Sequence, residues 1–366
     1  MTIRPVLSIA GGGTGGHVMP ALALADAARQ AWPALKVQFI GAERGLEATL
    51  LPERGEELLL LSMHSVQGAG LAQKLRVLLW ELPRAVWQIR SHWKSEPPHL
   101  VVGVGGYASV TGVLAALLSR IPVVLYEQNA VPGMVNRKLV RFCKKIMLGF
   151  AEAARLLPAE KSVMTGNVVR ENIAAIRWQP HTPPRLLVLG GSQGAAFLND
   201  HLPAACRLLK QKGLKFEVTH IAGERGAEAV SRAYREASIN AEVLGFCSKM
   251  PEFYASGDMM VSRSGAMTVG EAAICGMPAI FVPLPHAADN HQYYNARAMA
   301  ERDAAIIVEQ KTGSVSALAD AIEQMLFDPH RLAAMSRAAG TWAVADARAR
   351  QLKAISAYLP LSEVNA

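Results

Sequence analysis

Short apolar runs alternate with longer amphipathic stretches along the chain, and the alternation falls into two similar halves. In the first half, runs at 3–10, 36–40, 58–62, 99–104, 121–126 and 145–149 read as strands. In the second, runs at 185–190, 214–221, 241–245, 258–262, 278–282 and 304–308 do the same. Continuous rather than alternating apolar character marks strands buried on both faces. Strands separated by helix-length segments imply parallel sheets joined by right-handed crossovers. The pattern therefore predicts an α/β protein of two doubly wound, Rossmann-like domains. A junction near Gly166, ahead of the polar linker Gln179-Pro180-His181-Thr182-Pro183-Pro184, sets domains of 1–165 and 166–346. A terminal helix at 347–358, within residues 347–366, is expected to pack back on the first domain.

A length of 366 residues suits two cores rather than one, and 51% hydrophobic against 19% charged residues argues against disorder. Residues 97–119 carry no charge and match a membrane span in length. Pro97, Pro98 and the break Gly103-Val104-Gly105-Gly106 divide them instead into a buried strand at 100–104 and a helix at about 108–119. Gly11 ends the first apolar run too early for a secretory leader. Cys143, Cys206, Cys247 and Cys275 show no paired spacing, which points away from zinc and disulfides and toward a reducing cytoplasm. Of the net charge of +8, residues 1–165 carry +7. An anionic partner is thus expected on the first half: membrane phosphates, a lipid pyrophosphate or nucleic acid.

Two glycine loops occupy equivalent places in the halves. Gly11-Gly12-Gly13-Thr14-Gly15-Gly16-His17 and Gly190-Gly191-Ser192-Gln193-Gly194-Ala195 each follow a strand run and open a helical stretch. Glycine lets backbone approach an oxyanion, and a helix start presents N–H groups in positive potential. Gly11-x-Gly13-x-x-Gly16 formally matches the dinucleotide fingerprint. Its acidic partner is met only loosely, by Glu43, and no Walker loop follows either strand. At a helix start the potential favours a neutral imidazole for His17, fit to accept a proton or simply to bond phosphate or backbone.

Further along, Arg263-Ser264-Gly265-Ala266-Met267-Thr268-Val269-Gly270-Glu271 reads as a strand end and a second helix start. Glu271 there could accept both hydroxyls of a ribose, or be an ordinary surface glutamate. Pro285-His286-Ala287-Ala288-Asp289-Asn290-His291-Gln292 is dense in groups that recognise sugar hydroxyls. The histidines lack zinc-type neighbours, and the chain contains no Asp-x-Asp to hold a divalent ion, so no metal is expected.

These segments, with Tyr126-Glu127-Gln128-Asn129, occur in an order that resembles one family over nearly the whole chain. It is the family of bacterial cell-wall glycosyltransferases that add N-acetylglucosamine to undecaprenyl-pyrophosphoryl-muramoyl-pentapeptide. The chain departs from that family's pattern at Gly166-Asn167-Val168-Val169-Arg170, where proline usually follows the asparagine. The resemblance implies the glycosyltransferase B fold, two Rossmann-like domains facing across a cleft. It places UDP-N-acetylglucosamine mainly on the second domain and the lipid acceptor on the first. Ser192 would meet the diphosphate, backbone near Cys247 the uracil, Ala266, Met267, Thr268, Val269 and Gly270 the phosphates, and Glu271 the ribose. Asp289 to Gln292 would meet the sugar hydroxyls, and Arg170 belongs to the donor site without an assigned role. Thr14, Gly15, Gly16, His17 and Asn129 would close the donor site at the reacting centre, with Gly13, Thr14, Tyr107 and Asn129 on the acceptor side.

The implied reaction is an inverting displacement by the muramoyl 4-hydroxyl, with His17 as base and Asn129 positioning the acceptor. It requires no metal or other cofactor. A UDP-N-acetylglucosamine epimerase of the same fold and a non-enzymatic nucleotide-sugar or nucleic-acid binder are the alternatives. An epimerase should carry more carboxylates in its sugar loop, and the aromatic platform of single-strand binders is missing. No nucleic-acid partner is therefore expected, whereas proteins of the wall-synthesis machinery would be natural partners.

Residues 71–94 suggest how a lipid acceptor is met. Leu71, Leu75, Leu78, Leu82, Val86, Ile89 and Trp93 form one helical stripe, and Val77, Trp80 and Trp87 a second. Lys74, Arg76, Arg84, Arg90 and Lys94 flank them, and Arg137-Lys138-x-x-Arg141-x-x-Lys144-Lys145 adds a second basic cluster. Peripheral binding to the anionic cytoplasmic face of the inner membrane is expected, one stripe serving instead as core.

Overall fold

Parallel strands buried on both faces need helices above and below, and the computed structural model has this layering in each half of the chain. It describes residues 4–64, 70–191 and 193–361. These fall into two compact units, Met1–Val168 with Asp346–Ala366, and Val169–Ala345.

In the first unit, β1 (Val6–Ala10), β2 (Lys36–Ala42), β3 (Leu58–Leu61), β4 (Leu100–Gly103), β5 (Val123–Glu127), β6 (Lys145–Leu148) and β7 (Ser162–Met164) form one parallel sheet. Its order is β3-β2-β1-β4-β5-β6-β7. Side chains alternate between two cores. Leu7, Ile9, Val102, Val124, Tyr126 and Met147 pack against the helix Gly15–Ala31, while Val101, Leu125, Ile146 and Leu148 pack on the opposite face. The sequence pattern does not predict β7: it is a three-residue edge strand, only partly buried, and too short to leave a periodic signal.

The terminal helix Ala347–Ser356 packs on Gly15–Ala31 and sends Ala354 and Ile355 into the same core. Gln351 Nε2 donates to Gly166 O at 2.8 Å. Asn167 Oδ1 accepts from Tyr126 OH at 2.8 Å, and its Nδ2 donates to Gln128 O at 3.0 Å. These bonds keep 166–168 on the first unit, so the division falls after Val168 rather than at Gly166.

The second unit contains β8 (Arg185–Leu189), β9 (Glu217–Ile221), β10 (Ala241–Leu244), β11 (Met259–Ser262), β12 (Ala279–Phe281) and β13 (Ala305–Ile307), in the parallel order β10-β9-β8-β11-β12-β13. Its core joins Leu186, Val188, Val261 and Ile280 to Leu198, Leu202 and Leu209 of the helix Ala196–Gln211. The linker is tied down by buried Asp258, which accepts from His181 N and Arg185 N, each at 2.6 Å.

Each sheet's order reverses beside its first strand, between β1 and β4 and between β8 and β11. Such switch points open a crevice at the carboxyl ends of the strands. Both glycine loops start there.

Residues 71–94 are not one continuous helix. Leu71–Arg76 runs into a π-helical turn, Val77–Glu81, and then Leu82–His92. The wider turn rotates the faces, so each predicted stripe is divided. Val77, Val86, Ile89 and Trp93 are buried, whereas Leu71, Leu75, Leu78, Leu79, Trp80 and Trp87 are exposed.

Candidate active site

In the first unit the glycine loop leaves β1, and Thr14 caps the helix Gly15–Ala31 with extended backbone. His17, partly buried in the first turn, has Nδ1 3.4 Å from Thr14 Oγ1. The loop after β4 lies against it. A Cβ on Gly105 would sit 2.8 Å from His17 Cδ2 and Nε2, and one on Gly106 would sit 2.5 Å from Gly12 O. Gly105 and Gly106 also have φ of 101° and 78°, in the region that favours glycine. Tyr107 follows directly in the helix Gly106–Leu118. Thr14, His17 and Tyr107 are thereby carried at the starts of two helices whose preceding loops adjoin at one switch point.

Asn129 stands one strand further, after β5, and is held by Glu127. The Glu127 carboxylate is buried. Its Oε1 accepts from Asn129 N at 3.0 Å and Asn129 Nδ2 at 3.2 Å. Its Oε2 accepts from Gly133 N at 2.9 Å and Asn136 Nδ2 at 2.8 Å. Burial pushes this carboxyl above its ordinary range, while the four donors pull it back. The motif names Glu127, but its ordering of the Asn129 loop appears only in three dimensions.

A second acid was missed. The dinucleotide reading looks for an acid at the end of β2 and meets Glu43. The structure instead turns Glu47 inward, beneath the glycine loop, where its carboxylate accepts from Gly13 N at 2.7 Å. A repeated glycine spacing (Gly41, Gly45) was the available signal.

In the second unit, Gly194 and Gly223 bring two backbones together. A Cβ on Gly194 would overlap Ala222 O, and one on Gly223 would lie 2.6 Å from Gly194 N. Ser192 lies outside the described residues. After β11, Arg263 donates to Val282 O at 2.9 Å and Gln310 Oε1 at 2.9 Å, fixing the start of the helix Ala266–Cys275. Ala266, Met267, Thr268, Val269 and Gly270 occupy its first turns. Glu271 follows, its side chain only 12% exposed, with Tyr254 OH donating to Oε2 at 2.9 Å and Arg170 Nη2 3.4 Å from Oε1. Burial raises the Glu271 carboxyl above its usual range, against the opposing pull of Arg170 and Tyr254. Arg170 thus acquires a partner, and Glu271 is no ordinary surface glutamate.

Gln292 accepts from Leu284 N at 2.9 Å and braces the loop after β12, in which Asp289 and Asn290 have φ of 51° and 53°. Cys247 lies partly buried between β10 and the helix Met250–Ala255. Two glycine loops at two switch points, the first held by the Glu47 carboxylate and the second followed in the same unit by the helix that carries Glu271, suit phosphate-bearing ligands.

Two family models match the chain in succession: the glycosyltransferase family 28 N-terminal domain over residues 7–148 and its C-terminal domain over residues 185–351. Fold and site thus define a two-domain glycosyltransferase of the B fold. A UDP-N-acetylglucosamine--N-acetylmuramyl-(pentapeptide) pyrophosphoryl-undecaprenol N-acetylglucosamine transferase of Anaeromyxobacter sp. (strain K) is 42% identical over 91% of this chain and 88% of its own. The transferase of the same name from Psychromonas ingrahamii is 37% identical over 95% and 97%. The crystal structure of Acinetobacter baumannii MurG superposes with a TM-score of 0.80 at 31% identity, covering 96% of this chain and 99% of that one. The chain belongs to this family of N-acetylglucosamine transferases.

Proposed function

We infer that the chain transfers N-acetylglucosamine from UDP-N-acetylglucosamine to the muramoyl 4-hydroxyl of undecaprenyl-pyrophosphoryl-muramoyl-pentapeptide, the peptidoglycan step for which its relatives are named. The observation that carries the reading is the Tyr254–Glu271–Arg170 cluster beside a helix start, a carboxylate prepared for a ribose diol next to N–H groups prepared for phosphate.

In this reading the hydroxyl attacks the anomeric carbon opposite UDP, and an α-linked donor gives a β-linked product. His17 takes the hydroxyl proton. Asn129, set by Glu127, orients the acceptor, and Tyr107 lines the same side. The leaving diphosphate gathers charge, which the N–H groups of residues 190–194, with Ser192, and of the helix opening at Ala266 stabilise. Thr268 and backbone near Cys247 extend the nucleotide site, and Gln292 reaches the sugar. The mechanism calls on no metal, since these donors answer the charge.

The acceptor is a membrane lipid. Among the described residues no helix is long and apolar enough to cross a bilayer. The exposed Leu71, Leu75, Leu78, Leu79, Trp80 and Trp87, ringed by Lys74, Arg76, Arg84, Arg90 and Lys94, suit peripheral contact with the anionic cytoplasmic leaflet.

Incubation with UDP-N-acetylglucosamine, with and without lipid acceptor, tests the activity. UDP release only with acceptor is expected. Acceptor-independent conversion to an epimer would establish the epimerase instead.

A further inference from the structure

Glu47 opens the short helix Glu47–Glu53 and is fully buried, an expensive place for a carboxylate. Its two oxygens are divided between two strand ends. Oε2 accepts from Gly13 N at 2.7 Å, in the loop after β1, and Oε1 accepts from Ala42 N at 2.9 Å, at the end of β2. Glycine surrounds the group. A Cβ on Gly12 or on Gly45 would overlap the carboxylate, and one on Gly41 would lie 2.5 Å from Cγ. Three glycines thus form a socket that admits this one side chain.

We propose that Glu47 is a positioning residue for transfer: a carboxylate clamp that fixes residues 11–14, and through Thr14 the approach of His17, to the end of β2. The inference rests on the reading that the first unit carries the acceptor and the base.

The geometry gives the clamp three properties. First, it is bidentate and both of its partners are N–H donors. A glutamine cannot replace it, because its NH2 group would face one donor and leave Gly13 N or Ala42 N without an acceptor. Aspartate is a methylene too short to span the two. Second, the clamp spends the Gly13 N–H inward, so that N–H is not available to a ligand phosphate. Anion binding at this loop then falls to the helix start at Gly15 and Gly16, in the same first turn as His17. Third, it explains why a sequence that matches the dinucleotide fingerprint lacks the ribose-binding acid of that fold. The acid near the end of β2 is turned under the loop.

The test uses the full chain with Glu47→Gln and, independently, Gly45→Ala, which pushes a methyl onto the carboxylate from outside the loop. Gly45 is not among the glycines with positive φ, so overlap with the carboxylate is the strain introduced. Amide hydrogen exchange of the peptide spanning 11–18, UDP affinity, and separate KM and kcat values for donor and acceptor are measured. Faster exchange in 11–18, UDP affinity within twofold of the parent, and a fall in kcat/KM for the acceptor of about tenfold to a hundredfold are expected in both. Unchanged exchange would overturn the clamp. Faster exchange with acceptor kinetics within twofold would overturn its role in positioning. Loss of UDP binding in both variants would make Glu47 a general structural residue and overturn the assignment. Faster exchange with a shift confined to donor KM would overturn the positioning role as well, and would count against the acceptor reading on which it rests.

Discussion

Tyr254 donates its hydroxyl to Glu271 Oε2 at 2.9 Å, from a helix on the far side of β11 in the chain, and Arg170 Nη2 lies 3.4 Å from the other oxygen, so both oxygens of a buried carboxylate are held. Burial raises the Glu271 carboxyl above its ordinary range. A carboxyl raised in the folded state contributes stability that is fully present below its unfolded value and is lost as pH rises through its folded value. At neutral pH the ionised side chain therefore burdens the fold. Glu271→Gln should melt at the same temperature as the parent or higher at pH 7.5, with the difference vanishing near pH 4. Its KM for UDP-N-acetylglucosamine should rise about tenfold or more, because a charged hydrogen-bond acceptor is lost. Thermal melts at the two pH values and donor kinetics check both halves.

His17 is held close to Gly105, and this provides two routes to the base assignment. His17→Ala removes the imidazole, and a base typically contributes a factor of about 100 to 10,000. Its pH–rate profile at saturating substrates should lose the limb that the parent shows. Unchanged turnover with weaker acceptor binding alone would restrict His17 to holding the acceptor pyrophosphate. Gly105→Ala keeps the imidazole but drives a methyl toward it, at a φ of 101° that alanine tolerates poorly. It should lower kcat while UDP affinity, measured by calorimetry, stays level.

Glu127 makes four hydrogen bonds as an acceptor and none as a donor, so Glu127→Gln forces an NH2 group against N–H donors. A loss of about 2 kcal/mol is expected, which corresponds to a fall in melting temperature of roughly 4–8 °C. Activity should fall further than stability explains, because a single remaining oxygen cannot hold both Asn129 and the Gly133–Asn136 turn that follows it. Comparing kcat at a temperature where both proteins are fully folded separates the two effects. Equal kcat values would remove Asn129 from the reacting centre.

Most of the architecture is legible in the chain because both sheets are parallel and buried, and buried parallel strands leave dense apolar runs. The glycine loops are legible too, since their chemistry depends on a local order of strand, turn and helix. The contacts of the carboxylates are not. Glu47 sits between Gly13 and Ala42, residues 34 and five positions away, and no local pattern joins them. Arg170 finds Glu271 across 101 positions, so its role was open until the fold brought the two together. The π turn at Val77–Glu81 escaped for a different reason. A helical stripe assumes one constant period, and a single wider turn moves every later side chain to another face.

That turn also shapes the membrane test. Leu78, Leu79, Trp80 and Trp87 are 58%, 62%, 75% and 69% exposed, whereas Val86 and Ile89, on either side of Trp87 in the chain, are core. An apolar group of this size is costly in water and suits the bilayer interface, where tryptophan is favoured. Leu79→Ser with Trp80→Ser should leave soluble stability unchanged and reduce co-sedimentation with vesicles rich in anionic lipid. Reversing Arg84, Arg90 and Lys94 to glutamate, together with Arg137, Lys138 and Arg141, should weaken binding more at low salt than at high salt. Each charge near the surface contributes about 1 kcal/mol, and the contribution is screened. In a detergent-solubilised assay with a short-chain acceptor, both sets of variants should keep parental turnover, which separates membrane delivery from chemistry. Binding undiminished by both sets would refute this face as the membrane contact.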